Sequence, residues 1–374
     1  MPAPMSPISP QQLTCPSCGR LLDDLLVVNP AGELIGCEDC AESLGLAGGT
    51  LTLDEWNATD VVEEILSHYA LQECQFSKPE STPTQRPRAH YWEVVAGNKR
   101  YFLKRFHDWY PVESIHHTHS ILRHLFEEGV LVPRVITATN GADFCEGADS
   151  TWALYAARDG HQASENDWMW GRPKAAEMLA ALHSALESCT PEGSSFQPWT
   201  AWTLETVDRV LESWQPTPEL PEGLLGFVRE RLATRYFGDL YPQLPKMVVH
   251  GDFTMANVLW RGESSNATIS GVLDFERAHR DTPLFDLAWG LGDRRPPLLR
   301  ATVAAYHRMR LLSAIEREAL PEAMLLGLLM GIDMQMNYYH NMREVGRLAR
   351  DLAMTVRDLE SLRKAVAIKT PGMY

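Results

Sequence analysis

The sequence predicts an α+β chain: strand-forming segments up to about residue 157, helical segments after it, and a small cysteine-rich module in front of both. Three observations carry this prediction. His90–Val95 and Lys99–Phe106 are strand-like runs on either side of Ala96-Gly97-Asn98, a hairpin signal. From Ala175 onward, apolar residues recur with the helical period in one segment after another. Ahead of these, Cys15, Cys18, Cys37 and Cys40 stand in a C-x2-C-x18-C-x2-C pattern.

Residues 1–12, MPAPMSPISPQQ, are proline-rich without an apolar stretch, so a disordered tail is expected rather than a signal peptide. The cysteine module covers 13–47. Each C-x2-C turn brings two thiolates together, and two such turns complete a tetrahedral zinc site with no position open for chemistry. A structural zinc is therefore expected on Cys15, Cys18, Cys37 and Cys40; a redox pair is the alternative. Between the pairs, LLVVNPAGELIGC reads as two short strands around Asn29-Pro30-Ala31-Gly32, a zinc-ribbon layout. About 40 residues bury little core, so the metal would hold this module together.

Gly45–Thr50 reads as a linker. Asp60–Leu71 is a helix with Val61, Ile65, Leu66 and Tyr69 at helical spacing and Asp60 as N-cap. Gln72–Phe76 is a strand, followed by a polar, proline-rich loop over Ser77–Ala89. Ser114–Glu128 is a helix and Thr151–Ala157 an apolar strand. Helices follow at Ala175–Leu186, Thr203–Ser213, Gly223–Tyr236, Leu298–Arg310, Pro321–Glu344 and Gly346–Ile368. His116, His117, His119 and His124 lie on the helix over 114–128. No carboxylate joins them at ligand spacing, so they read as a polar helix face.

The chemistry concentrates in VVHGDFTMANVLW, Val248–Trp260, and GVLDFERAH, Gly271–His279. An aspartate (Asp252), an amide five residues on (Asn257) and a second aspartate (Asp274) each flank apolar, strand-like residues. Phosphoryl transfer asks for such a set: a carboxylate to orient a hydroxyl and take its proton, and oxygen ligands for magnesium. The order and spacing resemble the H-x-D-x-x-x-x-N and D-F-x pair of the protein-kinase-like superfamily. Gly251 stands where eukaryotic protein kinases have arginine. That makes the segment similar to the small-molecule branch: aminoglycoside phosphotransferases, choline kinases, homoserine kinases and kinase-like spore coat proteins. TPLFDLAW, Thr282–Trp289, resembles that branch's G-D-P-x-x-D-L-A segment, with Asp281-Thr282 in place of Gly-Asp.

The resemblance covers about residues 55–340. It implies a bilobal kinase-like fold, with an antiparallel-sheet lobe over 55–158 and a helical lobe over 159–374. It implies that Asp252 is the catalytic base, that Asn257 and Asp274 hold magnesium, and that Lys104 of YFLKRF reaches the α and β phosphates of ATP. A solvated edge lysine is the alternative for Lys104. It further implies that the backbone of Tyr155 to Ala157 meets the adenine edge. His250 and Asp286 are implied as support, Asp286 capping a helix and bracing the catalytic loop. Leu179, Leu182 and His183 match an L-x-x-L-H segment. Asn337, Tyr338, Tyr339 and His340 are candidates to face the acceptor, or core residues.

Two departures stand out. The loop SKPESTPTQRPRAH has no glycine, so Ser81, Thr82, Thr84, Arg86 or Arg88 would have to approach phosphate with side chains. The helix position that should carry an acidic partner for Lys104 falls near Thr118 or His119. A second function class therefore stays open: a catalytically weak kinase-like binding or assembly protein that docks through the zinc module. Composition narrows the rest. Hydrophobic residues make up 45% and charged residues 22%, as in ordinary globular chains. The net charge of -15 argues against nucleic-acid binding. The apolar run Ala323–Ile332 is too short to span a membrane and reads as a buried helix. The expected protein is a cytoplasmic, ATP- and magnesium-dependent enzyme acting on a small-molecule hydroxyl, without nucleic-acid or membrane partners.

Overall fold

The computed structural model describes residues 25–28, 34–36, 49–52, 59–71, 73–77, 91–106, 110–147, 150–163, 168–195, 202–214, 220–263, 266–292, 295–337 and 341–367. At the N-terminus β1 (Leu25–Val28) pairs antiparallel with β2 (Leu34–Gly36), Val28 opposite Leu34, so two short strands do flank the Asn29–Gly32 segment. β3 (Gly49–Thr52) pairs with β1 on its other side. Gly49 and Thr50 thus lie in a strand rather than a linker. Cys15, Cys18, Cys37 and Cys40 fall outside the described residues.

The chain forms two units. One takes the chain up to Val112 together with Arg134–Ala157. Its helix α1 (Thr59–Ser67) places Val62, Ile65 and Leu66, with Tyr69 just beyond its end, in one core with Trp92, Val94, Leu103, Trp152 and Leu154. Each such side chain contributes roughly 1.5–3 kcal/mol when fully buried. The sheet beside it is antiparallel throughout. Its strands are β4 (Cys74–Ser77), β5 (Tyr91–Ala96), β6 (Lys99–Phe106), β7 (Val135–Ile136), β8 (Cys145–Gly147) and β9 (Ser150–Ala156), in the order β4-β5-β6-β9-β7 with β8 also on β9. The hairpin turns at Gly97, whose φ of 60° is one glycine adopts readily.

The other unit comprises Glu113–Pro133 and the chain from Arg158. On its helix α2 (Val112–Glu127) the expected polar face holds for the exposed His116 but not for its neighbours: His117, Thr118 and His119 are buried along with Ile115, Ile121, Leu122 and Leu125. Burial holds the His117 imidazole below its ordinary pKa, so the ring stays neutral, and its Nε2 lies 3.1 Å from the Ala278 carbonyl. β10 (His161–Gln162) is followed by α3 (Trp168–Leu186), α4 (Leu204–Ser213) and α5 (Leu224–Arg231). α5 continues into nine π-helical residues, Leu232–Leu240. Then come β11 (Met247–Val249), β12 (Val258–Arg261), β13 (Thr268–Val272) and β14 (His279–Asp281), with α6 (Leu284–Leu291), α7 (Pro296–Met309), α8 (Ala314–Asn337) and α9 (Met342–Val366). β10, β12 and β13 form one small sheet; β11 and β14 form another.

α8 starts seven residues before the expected Pro321. The reason is a capping box: Ser313 Oγ accepts from the Glu316 N–H while Glu316 Oε2 accepts from the Ser313 N–H. Pro321 is then an interior residue of the helix. By length and composition Ala314–Met336 could cross a membrane, but 72% of its apolar window is buried within the protein, the pattern of a core helix. α8 packs on α9 and on α6.

Candidate active site

Asp252 lies three residues beyond β11, on a loop whose backbone conformation Gly251 sets. Gly251 has φ 80°, and a Cβ there would run into the Arg277 carbonyl, within 2.7 Å of its carbon. Only glycine meets both conditions, which is why arginine is absent at this position. Two hydrogen bonds fix the loop from behind. The buried Asp286 carboxylate, in the first turn of α6, accepts the His250 N–H through Oδ2 at 2.7 Å and the Gly251 N–H through Oδ1 at 2.8 Å. A third comes from His183 of α3, whose Nε2 donates to the same Oδ2 at 3.0 Å. His183 Nδ1 in turn meets the Tyr306 hydroxyl at 2.7 Å. Burial keeps His183 neutral. Burial alone would raise the Asp286 pKa, but these donors hold it below the ordinary carboxylate value. The Leu284 N–H at the start of α6 donates to the Thr282 hydroxyl at 3.4 Å, and Pro283 stands at the N-cap position.

His250 is equally constrained. Its Nδ1 accepts from the Asp252 N–H at 3.2 Å, and its Nε2 donates to the Leu273 carbonyl at 2.9 Å. That pattern puts the donor on Nε2 and ties the Asp252 loop to the residue before Asp274. The ring also lies 4.4 Å from that of Phe275.

The β12–β13 hairpin brings Asn257 and Asp274 together. Asn257 precedes β12, Asp274 follows β13 by two residues, and Val258 is opposite Val272. The Leu273 N–H donates to the Asn257 carbonyl at 2.8 Å. Asn257 Nδ2 donates to the Asp252 carbonyl at 2.9 Å and lies 3.3 Å from Asp252 Oδ2. Asp274 is exposed and takes φ 67°, a left-handed conformation that aspartate tolerates better than most residues.

The other Asp252 oxygen, Oδ1, accepts the indole N–H of Trp289 at 3.1 Å. Burial raises the Asp252 pKa and the Asp274 charge adds to this, while the Arg277 guanidinium and the Trp289 hydrogen bond hold it back. A carboxyl shifted upward yet still ionisable is suited to accept a proton. Sequence reasoning missed Trp289 and Arg277. A signal existed for Trp289: it lies three residues after Asp286 on one helix face, so both side chains point toward the same loop. Gly290 completes that approach, since a Cβ on it would run into the Phe253 carbonyl.

Lys104, Tyr155 and Ala157 belong to the first unit. Lys104 is buried on β6, between β5 and β9, so it is not a solvated edge lysine. Its Nζ lies over the Tyr91 and Phe106 rings, 5.1 and 4.8 Å from their centroids. Tyr155 stands opposite Phe102 and Val135 in the ladder. The Ala157 N–H donates to the Arg100 carbonyl at 2.9 Å and the Ala156 N–H to the Arg134 carbonyl at 2.8 Å, so these two donors of the Tyr155–Ala157 segment are engaged within the unit. The loop over 78–90, Tyr338, Tyr339, His340 and the side chain of Asn337 lie outside the described residues.

A family model described as the phosphotransferase enzyme family matches residues 89–326, a span that includes Lys104, Asp252, Asn257, Asp274 and Asp286. The chain belongs to this family. Among relatives of this chain, a homoserine kinase of Janthinobacterium sp. (strain Marseille) is 28% identical over 212 residues, 54% of this chain and 62% of that protein. A homoserine kinase of Methylobacillus flagellatus is 27% identical over 238 residues, 61% of this chain and 70% of that protein. The match thus spans less than two thirds of the first relative. Among solved structures, a microcompartment-associated aminopropanol kinase superposes with a TM-score of 0.59 at 17% identity, covering 82% of this chain and 99% of its own. An aminoglycoside phosphotransferase from Alicyclobacillus acidocaldarius gives 0.56 at 16%, covering 81% and 94%. At these identities the likeness is one of fold: a kinase-like fold with an antiparallel sheet and a helical part.

The donor set near Asp252 fits magnesium. With its nitrogen directed at Asp252, the Asn257 amide has its oxygen left for a ligand role, and the Leu273–Asn257 backbone hydrogen bond holds the residue before the exposed Asp274 against Asn257. Both are hard oxygen ligands of the kind magnesium takes from protein when phosphates supply the rest. Among the described residues, no group of three or more His, Cys, Asp or Glu could hold a metal by itself.

Proposed function

We propose that this chain transfers the γ-phosphoryl group of ATP to a hydroxyl of a small molecule, with Asp252 as the base. The observation that carries the proposal is the environment of Asp252: one oxygen bonded to Trp289, the other facing Asn257, and the loop locked through Asp286 and His250. As the acceptor oxygen forms its bond to phosphorus, the bond from phosphorus to the oxygen of ADP breaks, and the hydroxyl proton passes to the Asp252 carboxylate. Asn257 and Asp274 are the residues that would hold magnesium. When bound, that ion offsets charge on the phosphates. Lys104 is the cation assigned to the α and β phosphates, supported by its place in YFLKRF and its burial on a central strand. The names of the relatives support small hydroxyl compounds, homoserine or an amino alcohol among them, as the acceptor class. The zinc assignment rests on the four-cysteine spacing, with the β1–β2 hairpin between the two pairs.

The test is Asp252→Asn in the purified chain. Turnover should fall on the order of a hundredfold or more, the usual worth of a placed acid–base group, while Mg-ATP affinity changes little. A variant that phosphorylates a proven acceptor at the wild-type rate removes Asp252 from the role.

A further inference from the structure

α6 has eight residues, too few to stand as a helix on its own. Its N-cap position is Pro283, which brings no side-chain cap, and Gly292 leaves the helical conformation at ψ 138°. α6 is therefore held by its neighbours, and α3 holds it at both ends. His183 reaches the first turn through Asp286. Arg172 reaches the last turn: its Nη1 donates to the Leu291 carbonyl at 2.9 Å and to the Gly292 carbonyl at 2.7 Å. The two side chains are eleven residues apart on α3, about three turns, and so share one face. The carbonyls that end a helix have no partner within it and carry the negative end of its dipole, so a permanent cation is the donor suited to them.

Trp289 lies between the two anchors, three residues after Asp286 and two before Leu291. Its indole N–H is the donor to Asp252 Oδ1. The next residue, Gly290, is pressed on the carbonyl of Phe253, which directly follows the base. α3 touches the catalytic loop as well: a Cβ on Gly171 would come within 2.6 Å of Met255 Cε, in the turn that ends at Asn257. The end of α6 and the loop that carries the base are thus both set against one short stretch of α3, Gly171 and Arg172.

We propose that Arg172 is a positioning residue for phosphoryl transfer: by holding the Leu291 and Gly292 carbonyls it keeps the indole N–H of Trp289 on Asp252. The inference rests on Asp252 being the base. The action is indirect and runs through the last turn of α6. Without the guanidinium that turn can unwind from Gly292 backwards, and Trp289 is the first side chain on the way that touches the base. Gly290, which the approach to Phe253 requires, weakens the same turn, because glycine gains the most freedom on unwinding.

The test follows the indole itself and needs no acceptor. The full chain is labelled with 15N at tryptophan, and the indole resonance lost in Trp289→Phe is that of Trp289. Arg172→Gln should move this resonance toward the position of a free indole and speed its exchange with solvent at least about tenfold, the worth of one charge-assisted hydrogen bond. The other indole resonances should hold their places, which a general loosening of the fold would not allow. Arg172→Lys keeps a cation at shorter reach and should lie between wild type and Arg172→Gln. In turnover on a proven acceptor, Arg172→Gln should lose about tenfold, and adding it to Trp289→Phe should cost less than about twofold more, since both changes remove one contact. Affinity for a non-hydrolysable ATP analogue with magnesium should stay within about twofold, because Trp289 faces the base and not the magnesium ligands. A Trp289 resonance at its wild-type position in folded Arg172→Gln overturns the inference, as do turnover losses that multiply in the double variant. If Arg172→Gln does not fold, Arg172→Lys decides by the same resonance. A wild-type rate in Asp252→Asn overturns both readings whatever the indole does. An inactive Asp252→Asn with an unmoved resonance in the Arg172 variants overturns this one alone.

Discussion

Asp286→Ala is the sharpest test of how the catalytic loop is held, and it needs no knowledge of the acceptor. The wild-type carboxylate is buried and receives three donors: the N–H groups of His250 and Gly251, and His183 Nε2. Removing it leaves each donor without its acceptor, at about 1–3 kcal/mol apiece. The three share one side chain and are coupled, so the sum lies toward the low end, roughly 3–5 kcal/mol. For a cooperative unit of this size about 1 kcal/mol is worth 2–4 °C, so the melting temperature should fall by roughly 6–20 °C. Asp286→Asn should cost less. An amide oxygen in the Oδ2 position keeps His250 and His183, and only the Gly251 N–H is left facing an NH2 group. The pH dependence has a defined sign. The folded pKa of Asp286 lies below its unfolded value, so its contribution is fully present above about pH 4 and is lost as pH falls through the folded value. Thermal melts of wild type and both variants across pH 3 to 8 measure all of this. An Asp286→Ala protein that melts within about 2 °C of wild type at pH 7 would refute the argument.

Trp289→Phe removes the donor to Asp252 Oδ1, which holds its pKa down, and should move the acid limb of the pH–rate profile upward; an unmoved limb means the indole does not set the base. Gly251→Ala forces a side chain into the Arg277 carbonyl at positive φ, so activity should drop on the order of a hundredfold with a lowered melting point, and wild-type turnover would contradict the geometry. Metal analysis of chain prepared without chelators should find about one zinc per chain, lost in Cys37→Ser with the kinase-like part still folded; metal-free protein with reduced thiols sinks that site.

Asp252, Asn257 and Asp274 could be picked out from sequence because each sits in a short segment where residue type, order and neighbouring strands coincide. The hairpin at Gly97 and the helical period after residue 175 were legible for a similar reason: the signals are local. What could not be read depends on contacts between distant segments. Arg277 and Trp289 meet Asp252 only once α6, α8 and the loop after β13 are packed. His183 stood out in an L-x-x-L-H segment, but its role needs Asp286, 103 residues away. His117 and His119 read as part of a polar helix face because periodicity reports spacing and not what lies opposite. The Ser313–Glu316 box was readable and was passed over in favour of Pro321, a residue that more often opens a helix than sits inside one.

The hairpin that carries Asn257 and Asp274 has a consequence for how such sites vary. The two groups hang from the same rung, Val258 opposite Val272, at one end of a four-rung ladder. The chain reverses at the far end, between Arg261 and Thr268. The seventeen positions separating the pair along the sequence are therefore not a measure of anything the metal would sense. Residues can be gained or lost at the reversal, and the strands return to the same rung. A tilt of the ladder carries both groups together, so their separation is protected from motions that a pair on independent loops would feel. Two groups hung beside one rung would behave as a single rigid tool, and its handle is free to change length.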